Sequence, residues 1–264
     1  MKLIFITLFY LICNPVFSQT NNLESESNWE LVFEDEFNTN GSFDTTKWSY
    51  ATRSKSAWAK FLTEGSEYVN QSNSNLILRM DDKQVVDDPV PYHSGGIQTA
   101  NKFSFTYGKV EVRAKFKKGK GSWPAIWMMP ESSSEYGAWP KSGEIDIMEH
   151  LNYEGVIHQT VHTAAGTNAK GASSNTHQAS YNVDDYNVYA IIWTRENIQF
   201  LVNDKVTYTY SKAENATFEQ WPFDKPFYII LNQSGGVGWP GVIENKIELP
   251  FEMQVDYVKV YQWK

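Results

Sequence analysis

The chain has 264 residues, 41% of them hydrophobic and 20% charged, with 23 Lys+Arg against 31 Asp+Glu and a formal net charge of −8. That composition excludes a disordered, collagen-like or coiled-coil chain, and the lack of a basic patch argues against nucleic acid or an anionic membrane as partner. The unusual feature is aromatic: 15 Phe, 15 Tyr and 10 Trp make up 15% of the residues, which points to a thick all-β core, a ring-binding groove, or both.

Met1 and Lys2 lead into the apolar run Leu3–Cys13, followed by Asn14-Pro15 and Val16-Phe17-Ser18. A positive start, a short apolar stretch and small residues around a cut describe a secretory signal peptide over residues 1–18, which leaves 19–264 as a single domain. The run is too short for a membrane span, which needs about 20 apolar residues. The expected location is therefore extracellular or periplasmic. Cys13 is the only cysteine, so the mature chain would carry no disulfide, thiol nucleophile or thiolate metal site, and its stability must come from a large core. Lipid attachment at Cys13 is the alternative, but Tyr10-Leu11-Ile12 lacks the small residue expected just before such a cysteine.

Two-residue alternation dominates the rest of the chain, and helical periodicity is scarce. Asn75–Met80 reads as a strand, and Tyr107–Phe116 alternates apolar and charged residues as a strand with one wet face should. Ala164–Ser180, rich in Gly, Ala, Ser, Asn and Thr, reads as one long loop, a type that is usually functional inside a compact domain. Asp184–Tyr186 suggests a short turn. Ile198–Val202 and Val206–Tyr210 flank Asn203-Asp204-Lys205 as a tight hairpin. Phe227–Leu231 fits a fully buried strand, and Val255–Tyr261 a final one. Many short strands separated by turn signals indicate an all-β, two-sheet sandwich.

The densest chemical signal is Gly143-Glu144-Ile145-Asp146-Ile147-Met148-Glu149-His150. On a strand Glu144 and Asp146 share one face, whereas Glu149 points away unless one extra residue bulges at Ile147-Met148. With the bulge, all three acids line one groove. Crowded carboxylates raise the proton affinity of one member and so place a neutral acid beside an ionised one. Retaining glycoside hydrolysis uses such a split, with the two carboxyl groups about 5 Å apart. Glu144 and Glu149 stand about 13 Å apart at Cα on a straight strand, so sheet curvature and two long side chains have to close the gap. A calcium-binding or merely solvated acidic strand is the alternative, but calcium loops carry Gly and Asn at their bends, whereas Ile and Met fill these spacers.

The neighbouring motifs are Phe33-Glu34-Asp35-Glu36-Phe37, Trp123-Pro124-Ala125-Ile126-Trp127-Met128, Thr160-Val161-His162-Thr163, Trp221-Pro222-Phe223-Asp224 and Val255-Asp256-Tyr257-Val258-Lys259-Val260-Tyr261. With the acidic strand they resemble glycoside hydrolase family 16, specifically its β-1,3-glucanase (laminarinase-like) and mixed-linkage glucanase branch. The resemblance implies a jelly-roll sandwich whose concave sheet forms an open glucan-binding cleft. Glu144 matches the nucleophile, Glu149 the general acid/base, and Asp146 the residue between them that modulates their protonation. The form with Met148 matches the bulged motif; non-bulged lichenases have one spacer fewer.

Trp123 and Trp139 correspond to groove tryptophans of the family, and Trp127 suits either a sugar face or the core. His162 matches a family histidine near the cleaved bond. His158 shares its strand face, but the two histidines lack an evident third ligand for a metal. Asn232, Gln233 and Trp239 lie in or beside the Gly-rich segment Ser234–Gly241, which could wall the cleft. Family laminarinases usually carry an Asn-Arg-Glu-x-Gln-Tyr-like stretch where this chain reads Arg53–Leu62, so Arg53 and Trp58 are the candidates to replace those negative-subsite contacts. Asp256 with Glu36 resembles the family's structural calcium site, an ordinary strand acid being the alternative for Asp256; no organic cofactor is implied.

The expected activity is retaining endo-hydrolysis of internal β-1,3 or mixed β-1,3/1,4 bonds in glucans such as laminarin or lichenan, by a monomer. Rival readings are a non-catalytic β-glucan-binding protein on the same fold, a transglycosylase using the same covalent intermediate, and a calcium-dependent structural protein. Agar or carrageenan fits less well, because an anionic glycan favours a basic cleft and Lys141 is the exception among residues flanking the acids.

Overall fold

Period-two patterning builds two antiparallel sheets in this computed structural model, which describes residues 28–264. The expected leader and Cys13 lie outside the described residues. The first strands are β1 (Trp29–Asp35), β2 (Ser49–Tyr50), β3 (Val69–Ser72), β4 (Asn75–Asp81), β5 (His93–Ser94) and β6 (Gly96–Gln98). There follow β7 (Gly108–Phe116), β8 (Ser122–Pro130), β9 (Glu144–Glu149), β10 (Val156–His162) and β11 (Thr176–Ser180). The chain closes with β12 (Asn187–Trp193), β13 (Asn197–Val202), β14 (Lys205–Ser211), β15 (Phe227–Gly235) and β16 (Phe251–Trp263).

One sheet runs β14-β13-β12-β7-β16-β4-β3, with β1 beside β16 and β5 beside β4; the other runs β11-β10-β9-β8-β15-β6-β2. Helix is confined, among the described residues, to 3-10 turns at Ala57–Ala59 and Lys246–Glu248. No described helix is long and apolar enough to cross a membrane.

The alternation read from the sequence holds residue by residue. On β7, Val110, Val112 and Ala114 are buried between the sheets while Glu111, Arg113 and Lys115 turn outward. Val161 of β10, Leu231 of β15 and Val258 of β16 fill the same interior, each burial contributing about 1.5–3 kcal/mol. Trp48, Trp193 and Trp221 are also enclosed, so three of the tryptophans belong to the core. The β13–β14 hairpin is tighter than its sequence suggested. Only Asn203 and Asp204 form the turn, at φ 50° and 62°, and Lys205 already belongs to β14. Left-handed values at both central positions match the strand twist, and Asn and Asp tolerate them.

Three other boundaries differ from expectation. The expected loop Ala164–Ser180 contains edge strand β11, whose Thr176–Ser180 pairs with β10. Its small polar residues hide a strand because only Ala179 turns inward. The last strand is longer than Val255–Tyr261, and a register shift between Val255 and Tyr257 marks a bulge at Asp256. The buried strand beginning at Phe227 continues to Gly235.

Candidate active site

Strand β9 carries the three acids at the centre of the second sheet. Gly143 opens it at φ 84°, where a Cβ would stand 2.8 Å from Pro222 and 3.0 Å from Phe223; a side chain has no room at this entrance. On β10, Asp146 faces Thr160 and Glu149 faces His158, so three steps on β9 oppose two on β10. Against β8, Glu149 faces Ala125, Met148 faces Ile126 and Asp146 faces Trp127. Ile147 is therefore the extra residue of a β-bulge. Both Ile147 and Met148 point into the core with Ile145, and Glu149 returns to the face of Glu144 and Asp146. This is the bulge that the spacing demanded.

The acids open into a cleft of about 1040 Å3. Its floor crosses β11, β10, β9, β8 and β15 in that order. At one wall Trp139 Nε1 donates to Glu144 Oε2 at 2.5 Å. Elsewhere Trp123 Nε1 donates to Glu149 Oε1 at 2.9 Å, and Trp239 stands edge-on to Trp123 with 6.2 Å between ring centres. His162 Nε2 lies 3.3 Å from Asp146 Oδ2, and its ring lies 5.4 Å from that of Trp139. His158 faces the cleft as well, with Nε2 held 2.6 Å from Glu154 Oε2.

Electrostatics divides the acids. Burial pushes the Glu149 carboxyl up to about 7; the Trp123 N–H opposes the rise, and the charge on Glu144 adds to it. Burial followed by the charge of Asp146 raises Glu144, and burial followed by Glu149 raises Asp146, both well above the usual carboxylate range. The proximity of Glu144 and Asp146 raises the first and lowers the second, so the two titrate as a pair. Asp146 Oδ2 is buried, with His162 Nε2 as the neighbouring polar atom at 3.3 Å. Glu144 is half-buried and receives the Trp139 indole N–H, which favours its charged form and opposes the rise.

Most of the expected binding residues meet in this cleft. Trp58, Trp123, Trp127, Trp139, His162, Asn232 and Trp239 all line it. Trp127 also serves the packing: it is buried, donates to Asn232 Oδ1 at 2.7 Å and meets Trp58 edge-on at 4.7 Å. Trp139 and Trp239 are 42% and 50% exposed, as rings awaiting a sugar face should be. Gln233 is instead buried against Ser122.

Arg53 is a correction. It does not line the cleft, because its guanidinium is consumed by Leu62 O at 2.6 Å, Thr63 Oγ1 at 2.6 Å and Asp88 Oδ1 at 2.8 Å. It braces the segment that presents Trp58.

The acids that resemble a calcium site each face a cationic side chain. Glu36 pairs with Lys259 at 3.0 Å and Asp256 with Arg113 at 2.5 Å, and neither joins a three-ligand cluster among the described residues. Ligand atoms of Glu144, Asp146 and His162 do lie within 4.8 Å of one another. A cation bound there would occupy Glu144, the residue that matches the nucleophile.

Lys141, which flanks the acids in sequence, does not line the cleft; Lys170 does, together with His177 and Gln178. Its signal was the long small-residue segment itself, in which Lys170 is the lone lysine.

Paired carboxylates set among indole donors in an open cleft of a two-sheet sandwich are the architecture of a glycoside hydrolase. The family model for glycosyl hydrolases family 16 matches residues 55–259. The chain belongs to that family. It is 56% identical over 236 residues to a keratan-sulfate endo-1,4-beta-galactosidase of Sphingobacterium multivorum, a match that takes in 89% of this chain and 56% of that protein. It is 37% identical over 251 residues to a beta-glucanase of Rhodothermus marinus, covering 89% of this chain and 86% of that one. Among solved structures, the laminarinase from Rhodothermus marinus superposes with a TM-score of 0.80 at 35% identity, over 89% of this chain and 98% of that one.

Proposed function

We propose that the chain is an exported, retaining endo-β-galactosidase that cuts β-1,4-galactosidic bonds inside keratan-sulfate-type glycans. The observation that carries the reaction type is the bulge at Ile147, which brings Glu149 onto the face of Glu144. Glu144 attacks the anomeric carbon while Glu149 gives its proton to the departing sugar oxygen. Water then enters with Glu149 as base, breaking the glycosyl–Glu144 ester and restoring both groups. Asp146, between the two, titrates with Glu144 and modulates its protonation.

The galactosidic substrate is supported by the 56% identity to the keratan-sulfate enzyme, against 37% to the beta-glucanase. It is supported further by the segment at Arg53–Leu62, where the laminarinase pattern is replaced and Trp58 is the ring presented to the cleft. β-1,3(4)-Glucan is the second reading, favoured by the superposition on a laminarinase. Product analysis on keratan sulfate, laminarin and lichenan side by side separates them. Galactose-terminated fragments from keratan sulfate alone support the proposal; cleavage of laminarin with keratan sulfate left intact overturns it in favour of the second reading.

A further inference from the structure

The cleft wall carries a single cation. Among the described residues that line it, Lys170 is the one Lys or Arg. It sits on the connection from β10 to β11, at the end of the cleft opposite Trp58. That connection is not slack. Gly171 N donates to Asn168 O at 2.9 Å, closing a turn over Asn168–Gly171, and Asn168 N donates to Ala172 O at 3.0 Å. Asn168 Oδ1 accepts from the backbone N–H of Lys170 at 2.8 Å and of Ala172 at 3.2 Å. Gly171 takes φ 86°, and a Cβ there would stand 3.4 Å from the Trp139 ring, so the tip leans on the indole that donates to Glu144.

The Lys170 backbone is thus fixed beside the cleft, while its side chain is exposed. Some lysines of this chain are matched, Lys212 by Asp224 at 3.1 Å and Lys259 by Glu34 and Glu36 at 3.0 Å each, and others, such as Lys115 and Lys205, are not. What sets Lys170 apart is its place on the cleft. No ion pair among the described residues includes Lys170. A neutral glycan offers an ammonium group only hydroxyls, already well solvated, whereas a sulfate ester offers a full charge and three acceptor oxygens. The floor works the other way. The negative charge of the Glu144–Asp146 pair repels a sulfate on the sugar being cut, so a sulfate is admitted only away from it.

Resting on the keratan-sulfate reading above, we infer that Lys170 is a specificity-determining residue that binds a sulfate ester on a sugar at the β11 end of the cleft. The galactose at Glu144 is itself unsulfated.

The test is calorimetric binding of sulfated and chemically desulfated keratan oligosaccharides to the Glu144→Gln protein, with and without a second change at Lys170. The expected preference for the sulfated form is about five-fold, the scale of one exposed ion pair. It should vanish in Lys170→Gln, reverse in Lys170→Glu and persist in Lys170→Arg. A preference unchanged in Lys170→Gln, or absent from the parent, overturns the assignment. If keratan oligosaccharides of neither kind bind while laminarin oligosaccharides do, the substrate reading has failed. The same ratio is then taken between laminarin oligosaccharides and their sulfated derivatives, and Lys170 is judged on that pair by the same two outcomes.

Discussion

Trp123 holds Glu149 through an indole N–H donated across 2.9 Å, and that contact opposes the burial that lifts the Glu149 carboxyl to about 7. The proton that must reach the departing sugar is therefore tuned by a side chain expected to hold sugar. Trp123→Phe removes a donor that favours the charged form, so the Glu149 pKa should rise. The alkaline limb of kcat/KM should then move up from near pH 7 by as much as one unit, the equivalent of about 1.4 kcal/mol. A pH profile from 4 to 9 on both proteins checks it, and a limb that stays or moves down would refute the link.

Glu149→Gln and Glu144→Gln should fail differently. Losing the general acid should lower kcat/KM about 10²–10⁴-fold on a natural glycan but far less on an aryl glycoside with a good leaving group. This ratio reports the first displacement and leaves out the water-entry step that uses Glu149 as base. Losing the nucleophile should lower both by about 10⁴-fold or more. Steady-state rates on the two substrates distinguish the roles, and equal losses on both substrates in Glu149→Gln would count against them.

The raised carboxyl also acts on stability. Glu149 binds its proton more tightly folded than unfolded, so its contribution is fully present below about pH 4.5 and is lost as pH rises through 7. Above pH 7 the buried charge costs about 3 kcal/mol. Glu149→Gln should therefore be more stable than the parent at pH 8 and nearly equal to it at pH 4.5. His150 works in the opposite sense: burial pushes it down to about 4, so its contribution is lost as pH falls from 6.5. Urea unfolding of both proteins at the two pH values gives the answer, and an equal difference at both would contradict it.

Deleting Met148 leaves Glu144, Asp146 and the following Glu two residues apart in turn, all on one face without a bulge. The fold loses one buried side chain, at about 2–5 kcal/mol, yet the acids still share the cleft. Measurable activity should survive if the protein folds. A folded but wholly inactive deletion, with circular dichroism like that of the parent, would show that the bulge itself is needed for the chemistry.

Alternation and spacing made most of this legible in the amino-acid order. Val110, Val112 and Ala114 announce their sheet, and the odd offset of Glu149 from Asp146 announces the bulge. Trp58 was legible by its place in the segment that departs from the laminarinase pattern. Arg53 in the same segment was misread, because Asp88, which draws its guanidinium away, lies 35 residues on in the chain. Lys170 was not legible, because it lies 21 residues beyond Glu149 in sequence and reaches the cleft only through the connection between β10 and β11. The strand inside that connection was invisible because β11 is an edge with one buried side chain, too little apolar surface to show a period.

The most direct test of the central claim is proton NMR of fresh digests of keratan sulfate, reading the anomeric configuration of the first-formed reducing ends. Retention through Glu144 predicts that β-galactose ends appear first and then mutarotate to the α/β mixture. α-Galactose ends appearing first, or no galactose ends at all, would contradict it.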